Sequence, residues 1–252
     1  MKNNILKYFI LLLSFLVSLI FYLSTIGIET DKFNNQIKNR ISQIDKNIDI
    51  DLKKIKFTLD PLKFKINAKT IGTTVYFLKN SLALESIKTQ VSLSSLIKNK
   101  FSSSNIEVTT RSMSLNNLIR FIRTVKNKPE LFLLENIIKE GHVIIDLSFN
   151  VDENGKIKND YEIKGLIKDA SINFLNKLNF KNINLNFNFQ KDNYLFNEIN
   201  LKAEEVKFIS KKLNIKKKKT NFLINGNIRN DQSSLNSNIL KLLNLKFKNL
   251  II

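Results

Sequence analysis

Apolar and polar residues alternate with a period of two along residues 48–68. Successive side chains of a β-strand point to opposite faces, so this stretch predicts strands with one apolar face and one charged face. The alternation slips at Lys53-Lys54 and at Asp60-Pro61, where we expect bulges or turns, because proline has no N–H to donate within a central strand. The apolar positions are Ile48, Ile50, Leu52, Ile55, Phe57, Leu59, Leu62, Phe64, Ile66 and Ala68.

The same alternation recurs through much of the remaining chain. A sheet with one apolar face must cover that face, either against itself or against an apolar ligand. The repeated pattern predicts a mainly β fold with a few helices, in which residues 152–155 and Lys191–Asn193 form turns. The further predicted strands occupy residues 74–78, 82–93, 105–110, 142–151, 156–169, 183–190, 194–203, 206–210, 211–219 and 221–228.

A run without charged residues extends from Tyr8 to Ile28 and predicts a membrane anchor. A helix needs about 20 apolar residues to span a bilayer. Basic residues precede the run and acidic residues follow it, so the positive-inside rule places the N-terminus in the cytoplasm. A cleaved signal peptide is the alternative, but the run exceeds the usual apolar region of about 7 to 15 residues and no A-x-A site follows it. The anchor is expected to include Tyr8, Phe15, Leu19 and Ile28.

Apolar residues at helical spacing predict four further helices. The first would close the membrane end of the sheet or simply pack on it, and the last two form a helical insertion at about residues 114–140. The basic residues of the helix from Ser114 can lie on a membrane surface, but we expect them to form its solvated face. The predicted helices are Thr30–Lys46 (capped by Thr30 and Asp31), Ser94–Asn99, Ser114–Lys126 (capped by Ser114) and Leu131–Lys139 (ended by Gly141).

Three segments follow one another in a distinctive order: the anchor, the ladder IDIDLKKIKFTLDPLKFKI, and the unit VSLSSLIKNKFSSSNIEV. This order resembles the opening of the AsmA family of inner-membrane-anchored periplasmic proteins. The later strand-turn-strand series also resembles the repeats of AsmA and its relative TamB. The resemblance covers roughly residues 1–229 and consists of residue patterns rather than catalytic motifs. It implies a long curved antiparallel sheet forming a taco-like β-groove with short capping helices.

These patterns divide the chain into three parts. Residues 1–29 are predicted to form a cytoplasmic stub and a single transmembrane anchor, residues 30–47 an amphipathic helix, and residues 48–252 an extracytoplasmic β-rich domain. The AsmA resemblance implies that the membrane is the bacterial inner membrane and that the β-rich domain is periplasmic. Either the apolar, Lys-rich stretch at residues 235–252 is a terminal helix that closes the sheet, or the chain is the front portion of a longer protein, and we favour the second.

The chain is strongly basic, with 41 Lys and Arg residues against 22 Asp and Glu residues and a formal net charge of +19. Such a balance is typical of proteins that bind nucleic acids or anionic membranes. Here the lysines are scattered along the whole chain among Asn and Ile, and the bulk lies beyond an anchor, so we expect no nucleic-acid partner. The run Lys216–Lys219 is expected to be a solvated hairpin or a protected strand edge.

Residues suited to catalysis are scarce. The chain has no cysteine, and His142 is its single histidine, so a thiolate or multi-histidine metal site is excluded. Its six glycines form no phosphate-binding loop. We expect no enzyme activity, no metal and no cofactor. Paired carboxylates, expected on solvated faces and in turns, occur at Asp49 and Asp51, Asp152 and Glu153, and Glu204 and Glu205.

Two hypotheses of function follow, from different classes. In the first, an apolar β-groove carries phospholipid between the inner and outer membranes, a role that the AsmA resemblance implies together with outer-membrane biogenesis. In the second, the protein is a scaffold that assembles outer-membrane proteins, or meets another periplasmic partner, through its sheet edges. A β-rich domain with an unrelated ligand remains a third reading. The expected groove lining is Phe57, Phe64, Ile66, Phe149, Leu185, Phe187 and Phe189.

Overall fold

The fold is described from a computed structural model, for residues 2–94, 104–152, 158–174, 178–203, 206–219 and 221–230. The chain divides into two compact units. Unit 1 comprises Met1–Thr109 and Leu147–Tyr161, and unit 2 comprises Thr110–Asp146 and Glu162–Ile252. The predicted helix at residues 94–99, the turn at residues 152–155 and the stretch at residues 235–252 lie wholly or largely outside the described residues.

Unit 1 contains two helices and a set of antiparallel strands. Its strand order is β1-β3-β4-β6-β7, and β5 joins β2 to the first half of β6. The elements are α1 (Lys2–Thr25), β1 (Ile28–Thr30), α2 (Asn34–Ile44), β2 (Ile48–Asp51), β3 (Lys54–Asp60), β4 (Lys65–Ile71), β5 (Thr74–Phe77), β6 (Asn80–Ser92) and β7 (Ser104–Thr110, of which Thr110 belongs to unit 2).

Unit 2 contains a helical pair and longer strands. Its strand order is β9-β10-β11-β12-β13-β14, with β8 beside β9 and β15 beside β13. The elements are β8 (Met113–Ser114), α3 (Leu115–Val125), α4 (Pro129–Ile137), β9 (Ile138–Val151, of which Leu147–Val151 belongs to unit 1), β10 (Glu162–Phe174), β11 (Leu178–Gln190), β12 (Asn193–Ala203), β13 (Val206–Lys217), β14 (Phe222–Gly226) and β15 (Arg229–Asn230).

The period-two alternation therefore does encode strands, and the prediction of a mainly β, antiparallel fold is confirmed. Both predicted slips are strand ends. The first separates β2 from β3, and the second is the turn between β3 and β4. The first break redirects the chain as well, because β2 pairs with β5 while β3 pairs with β1 and β4.

The core of unit 1 is formed by buried apolar residues of its strands, and α2 packs against β2. Ile55 is 2% exposed there, and Ile50 and Leu84 are also buried. Lys38 of α2 forms an ion pair of 3.1 Å with Asp49 of β2, and the hydrogen bond from this lysine lowers the pKa of Asp49. This ion pair links α2 to β2, but it is exposed to solvent and therefore adds little to stability.

The core of unit 2 forms where α3 packs on the sheet. Leu115 and Ile119, four residues apart on α3, are buried together with Val143 of β9 and Ala170 of β10. Full burial of a Leu or Ile side chain contributes about 1.5–3 kcal/mol. As predicted, the Ser114 side chain caps the helix by accepting a hydrogen bond from the Asn117 N–H at 3.2 Å.

One predicted end of each of two helices is wrong. The first short helix begins at Asn34, with Phe33 at its N-cap and no side-chain cap, because Thr30 belongs to β1. The second helix of the insertion is α4, which ends at Ile137 rather than Lys139. Gly141 does not end it, because this residue lies inside β9 with a φ of +127°.

Gly141 provides the space into which α3 docks. A Cβ atom at this position would lie 2.6 Å from the Ala170 Cβ and 2.8 Å from the Leu115 Cδ1. We expect Gly141→Ala to lower the free energy of unfolding by about 2 kcal/mol, through both this overlap and the positive φ, and so to lower Tm by roughly 4–8 °C. Thermal unfolding of the full chain in detergent, followed by circular dichroism, measures this.

The matched control for Gly141→Ala is Lys168→Ala, at an exposed position of β10. We expect that substitution to change Tm by less than the error of the measurement, because surface substitutions usually alter stability by less than about 0.5 kcal/mol. An unchanged Tm for Gly141→Ala would show that α3 does not need the close approach.

Candidate functional site

The sheet of unit 1 has one apolar face, which we call the unit 1 apolar face. Cross-strand pairing places Phe57 opposite Ile28 on one side and Ala68 on the other, and Ile66 opposite Leu59 and Val91. Directly paired residues share a face of the sheet. Apart from exposed Ile28, these side chains are half-buried, so the face is covered well only near Ile55.

Phe33 provides the partial cover over Phe57. The two rings meet edge to face, with centroids 5.7 Å apart. Phe33 is itself exposed. One aromatic ring therefore shields part of the unit 1 apolar face and leaves the positions towards Leu59 and Val91 half-open.

The opposite face of the same strands is charged. A cavity of about 620 Å³ on this side is lined by polar residues that include Lys56, Lys69 and Lys88. Lys88 forms an exposed ion pair of 3.9 Å with Glu107. The unit 1 sheet is thus two-sided in the way the alternation predicts.

Gly27 joins the apolar helix α1 to this sheet. The N–H groups of Ile26 and Gly27 both donate to the Tyr22 carbonyl, which ends the helix, and β1 begins at the next residue. A Cβ on Gly27, whose φ is +74°, would lie 2.2 Å from the Phe57 carbonyl oxygen. The helix therefore passes into the sheet without a linker, at a place where only glycine fits.

The sheet of unit 2 has a longer apolar face, which we call the unit 2 apolar face. Register places Ile163 opposite Phe189, Gly165 opposite Phe187, and Ile167 opposite Leu185. Helix α3 covers one part of this face, and Ile163, Ile167, Leu185 and Phe189 are half-buried around it.

An aromatic cluster continues this face on β11 and β12. The Phe189 ring centroid lies 4.8 Å from that of Phe187, 5.5 Å from that of Tyr194 and 5.4 Å from that of Phe196. Phe187 is the buried member, and the other three are half-buried. Beyond them, Leu213 and Ile215 carry the apolar face onto β13, where Ile215 pairs with exposed Ile224 of β14.

The opposite face of unit 2 is a hydrogen-bonded polar layer. Glu162 accepts hydrogen bonds from Asn188 at 2.8 Å and Gln190 at 3.0 Å, and it forms an ion pair of 2.8 Å with Lys164. The hydrogen bond from Lys164 is the main cause that holds the pKa of Glu162 below its ordinary value, followed by that from Asn188, while partial burial raises it. A cavity of about 760 Å³ also lies on this side, between β13 and the β14–β15 segment.

Three polar residues in the left-handed region mark irregular positions in neighbouring strands. Asp169, Asn182 and Glu198, on β10, β11 and β12, have φ values of +50°, +53° and +52°. Asn184 links the first two, because its side chain accepts from the Asp169 N–H and donates to the Asn182 carbonyl. Register shifts at these positions are β-bulges, which increase the local twist of a sheet.

The predicted lining residues fall into both units. Phe57, Phe64, Ile66 and Phe149 belong to unit 1, and Leu185, Phe187 and Phe189 to unit 2. Phe57, Ile66, Phe149, Leu185 and Phe189 are half-buried strand residues. They keep the exposure that a lining role requires.

Two of the predicted lining residues lie in other environments. Phe64 is 71% exposed in the β3–β4 turn, with a φ of +51°, because the alternation ends before it. Phe187 is 7% exposed, and its ring fills the space above Gly165 that a side chain would occupy. It is a core residue. Pairing across the Lys191–Asn193 turn could have identified Tyr194 and Phe196, because they face Phe189 and Phe187 in the hairpin.

Helix α1 is long and apolar enough to cross a membrane. Its large apolar side chains, including Tyr8, Phe15 and Leu19, are exposed in the absence of a bilayer. Ile28 was expected in the anchor, but it lies in β1 opposite Phe57. The helix ends at Thr25 because Gly27 turns the chain into the sheet.

His142 and the Lys216–Lys219 run both lie on the surface. His142 is exposed in β9, opposite Ser114 of β8. Lys216–Lys219 spans the end of β13 and the exposed start of the hairpin to β14, which confirms the prediction of a solvated hairpin. Within the described residues, no group of three or more His, Asp or Glu side chains is placed to hold a metal ion.

No protein-family model, curated protein or solved structure matches this chain. The resemblance to the AsmA family therefore stays a prediction carried by the order of residue patterns. The description of the two apolar faces does not depend on that resemblance, because it follows from the strand pairing and from the exposure of the side chains.

The Glu162 network predicts a specific pH dependence. Because the folded pKa lies below the ordinary value of 4.5, its contribution to stability is present above that value and is lost as the pH falls through the lowered pKa. We expect Glu162→Gln to lower Tm at neutral pH, and we expect its Tm difference from the parent chain to shrink as the pH falls below 4.5. Thermal unfolding in detergent across this range measures the difference.

Glu140→Gln, at an exposed position of β9, controls for the loss of one negative charge. A Tm difference for Glu162→Gln that stays constant with pH would contradict a stabilising role of the ionised Glu162 carboxylate. Hydrogen bonding that does not need the charge would then account for the difference.

Proposed function

We propose that this protein is a membrane-anchored, AsmA-like periplasmic protein that carries phospholipid between the inner and outer membranes and so serves outer-membrane biogenesis. The acyl chains would lie against the unit 1 apolar face and against the unit 2 apolar face, each taken by itself as the lining of a β-groove. No catalytic residue, metal or cofactor takes part in this role.

The observation that supports the proposal is that the apolar face of each sheet is only partly covered by the protein itself. In unit 2, α3 buries one part of the apolar face, and in unit 1 Ile55 is the buried apolar residue of the face. The rest of each face stays half-exposed along the strands. Soluble monomers rarely leave such continuous apolar strips open to water, and strips with a polar surround are typical of ligand or membrane contact. Phe189 and its half-buried neighbours Tyr194 and Phe196 are the clearest example.

The physical need for such a surface is large. A phospholipid with two tails carries about 30 methylenes, and exposing each to water costs about 0.8 kcal/mol, so bare transfer costs on the order of 24 kcal/mol. A half-open apolar strip beside a Lys- and Asn-rich face removes much of this cost while the headgroup stays hydrated. Such a carrier needs no bond-making chemistry.

The apolar helix α1 supports a place at the inner membrane. Basic residues before it and acidic residues after it favour a cytoplasmic N-terminus and a periplasmic bulk. The absence of a linker at Gly27 would start β1 and the unit 1 apolar face at the membrane surface. Lipid leaving the bilayer would then meet Phe57 first, because it pairs with the first residue of β1.

A scaffold that assembles outer-membrane proteins is the second candidate. The exposed strand β14 supports it, since all five of its residues are exposed and it pairs with β13 alone among the described strands. An edge of this kind can accept an additional strand from a partner.

Site-specific photocrosslinking in cells tests the lipid role with the full chain. We expect p-benzoylphenylalanine in place of Phe189 to capture phospholipid, because this position lies on the unit 2 apolar face. The same group in place of Lys181, an exposed residue of the same strand, should capture at least tenfold less. Mass spectrometry of the adduct identifies the lipid.

Adducts with outer-membrane or periplasmic proteins at position 189, without lipid, would favour the scaffold instead. Equal lipid capture at positions 189 and 181 would contradict the proposal that lipid lies on the unit 2 apolar face. Phe189 is suited to this test because it is half-exposed, whereas substitution of buried Phe187 would disturb the core.

Removal of residues 1–26 tests the anchor while sparing β1. We expect the shortened protein to be extracted from membranes by alkaline carbonate, because α1 is the described helix able to span the bilayer. The full chain should resist the same treatment, as an integral protein does. A shortened protein that also resists extraction would contradict a single anchor.

A further inference from the structure

The helical hairpin formed by α3 and α4 exposes apolar side chains that its own unit does not cover. Leu133 is 60% exposed, Phe132 54% and Val125 46%, and Ile122 and Leu134 are also exposed. None of the nine described residues of α4 is buried. A helix that packed on its sheet in the usual way would bury such residues, so this pattern indicates contact with something outside the unit.

Ion pairs hold the hairpin in this conformation. The Glu135 carboxylate of α4 forms ion pairs with two arginines of α3. Its oxygens lie 3.3 Å from the Arg120 Nε and 2.9 Å from the Arg123 Nε. The Arg123 guanidinium also lies 5.8 Å from the centre of the Phe132 ring. Leu115 and Ile119 fix the base of α3 in the core of unit 2. The exposed apolar residues therefore belong to a hairpin whose two helices are linked by ion pairs and whose first helix is anchored in the core of unit 2.

The tip of the hairpin is basic. Lys126 and Lys128 flank the turn between the helices, both are exposed, and neither has an ion-pair partner among the described residues. Residues 115–137 carry four basic and two acidic side chains, a net charge of +2. One of the two acids is Glu135, which the two arginines neutralise.

We propose that the α3–α4 hairpin binds the surface of a membrane containing anionic phospholipids. Exposed apolar residues beside unpaired lysines are the combination that inserts at a lipid headgroup boundary, with the apolar groups entering the acyl region and the cations meeting phosphate. Phe132 and Leu133 would enter the bilayer boundary, and Lys126 and Lys128 would meet the headgroups. This contact rests on α1 holding the chain at a membrane, but not on lipid transport by the sheets.

A single fluorescent label in the full chain tests the contact. The chain has no cysteine, so Leu133→Cys creates one labelling site. The labelled protein is placed in nanodiscs of phosphatidylcholine with phosphatidylglycerol, which leave both bilayer faces open. We expect doxyl-labelled lipids to quench an NBD group at position 133, while aqueous iodide does not reach it. A second site, Val125→Cys, should behave in the same way.

Two comparisons sharpen this test. An NBD group on Lys181→Cys, in β11 of the same unit, should be quenched by iodide and not by the doxyl lipids. Adding Lys126→Gln and Lys128→Gln to Leu133→Cys should weaken the doxyl quenching, with about a fivefold loss of apparent membrane affinity for each lysine. Nanodiscs of phosphatidylcholine alone should have the same effect as the two substitutions.

Two outcomes would overturn the proposal. Iodide quenching at positions 133 and 125 equal to that at position 181 would show that the hairpin faces water. Protection from iodide without doxyl quenching would show that protein covers it, either a partner or a second copy of this chain. Neither outcome depends on photocrosslinking at Phe189, so failure here is distinguishable from failure of the proposed transport role.

Discussion

The burial of one apolar sheet face is the constraint on which this protein depends. Every long strand of unit 2 presents Ile, Leu or Phe side chains to the side on which α3 packs. Helix α3 can reach that side because Gly141 and Ala170 leave room for Leu115. The helix is too short to cover strands of eleven to fourteen residues, so the far part of the face stays half-open.

Unit 1 repeats this design with different residues. Ile55 is buried, while Phe57, Leu59 and Ile66 remain half-buried. Both units thus combine a local core, which stabilises the fold, with an apolar strip whose side chains stay only half-buried. Exposed apolar strips of this kind are typical of surfaces that contact a ligand, a partner or a membrane, and the proposed lipid role places the acyl chains on them.

The strands themselves were predictable because alternation is a local property. A period of two encodes a half-buried strand whatever its neighbours, and Ser114 caps α3 through an N–H only three residues away. Helix ends and individual site residues were harder to predict. Gly141 looked like a helix stop, and Phe64 and Phe187 looked like equal members of one lining. In the structure, Gly141 lies in β9 against Leu115, and Phe64 lies in the β3–β4 turn. Phe187 is buried over Gly165 of the neighbouring strand.

By itself, the sequence determined that the chain is mainly β, that its strands are two-sided, and that an apolar helix near its N-terminus is long enough to cross a membrane. Each of these follows from residue type and spacing along a few neighbouring residues. Only the tertiary structure decided which apolar residues are core and which remain half-exposed. Burial depends on strand order and helix docking, which bring residues such as Leu115 and Ala170 together across long stretches of chain.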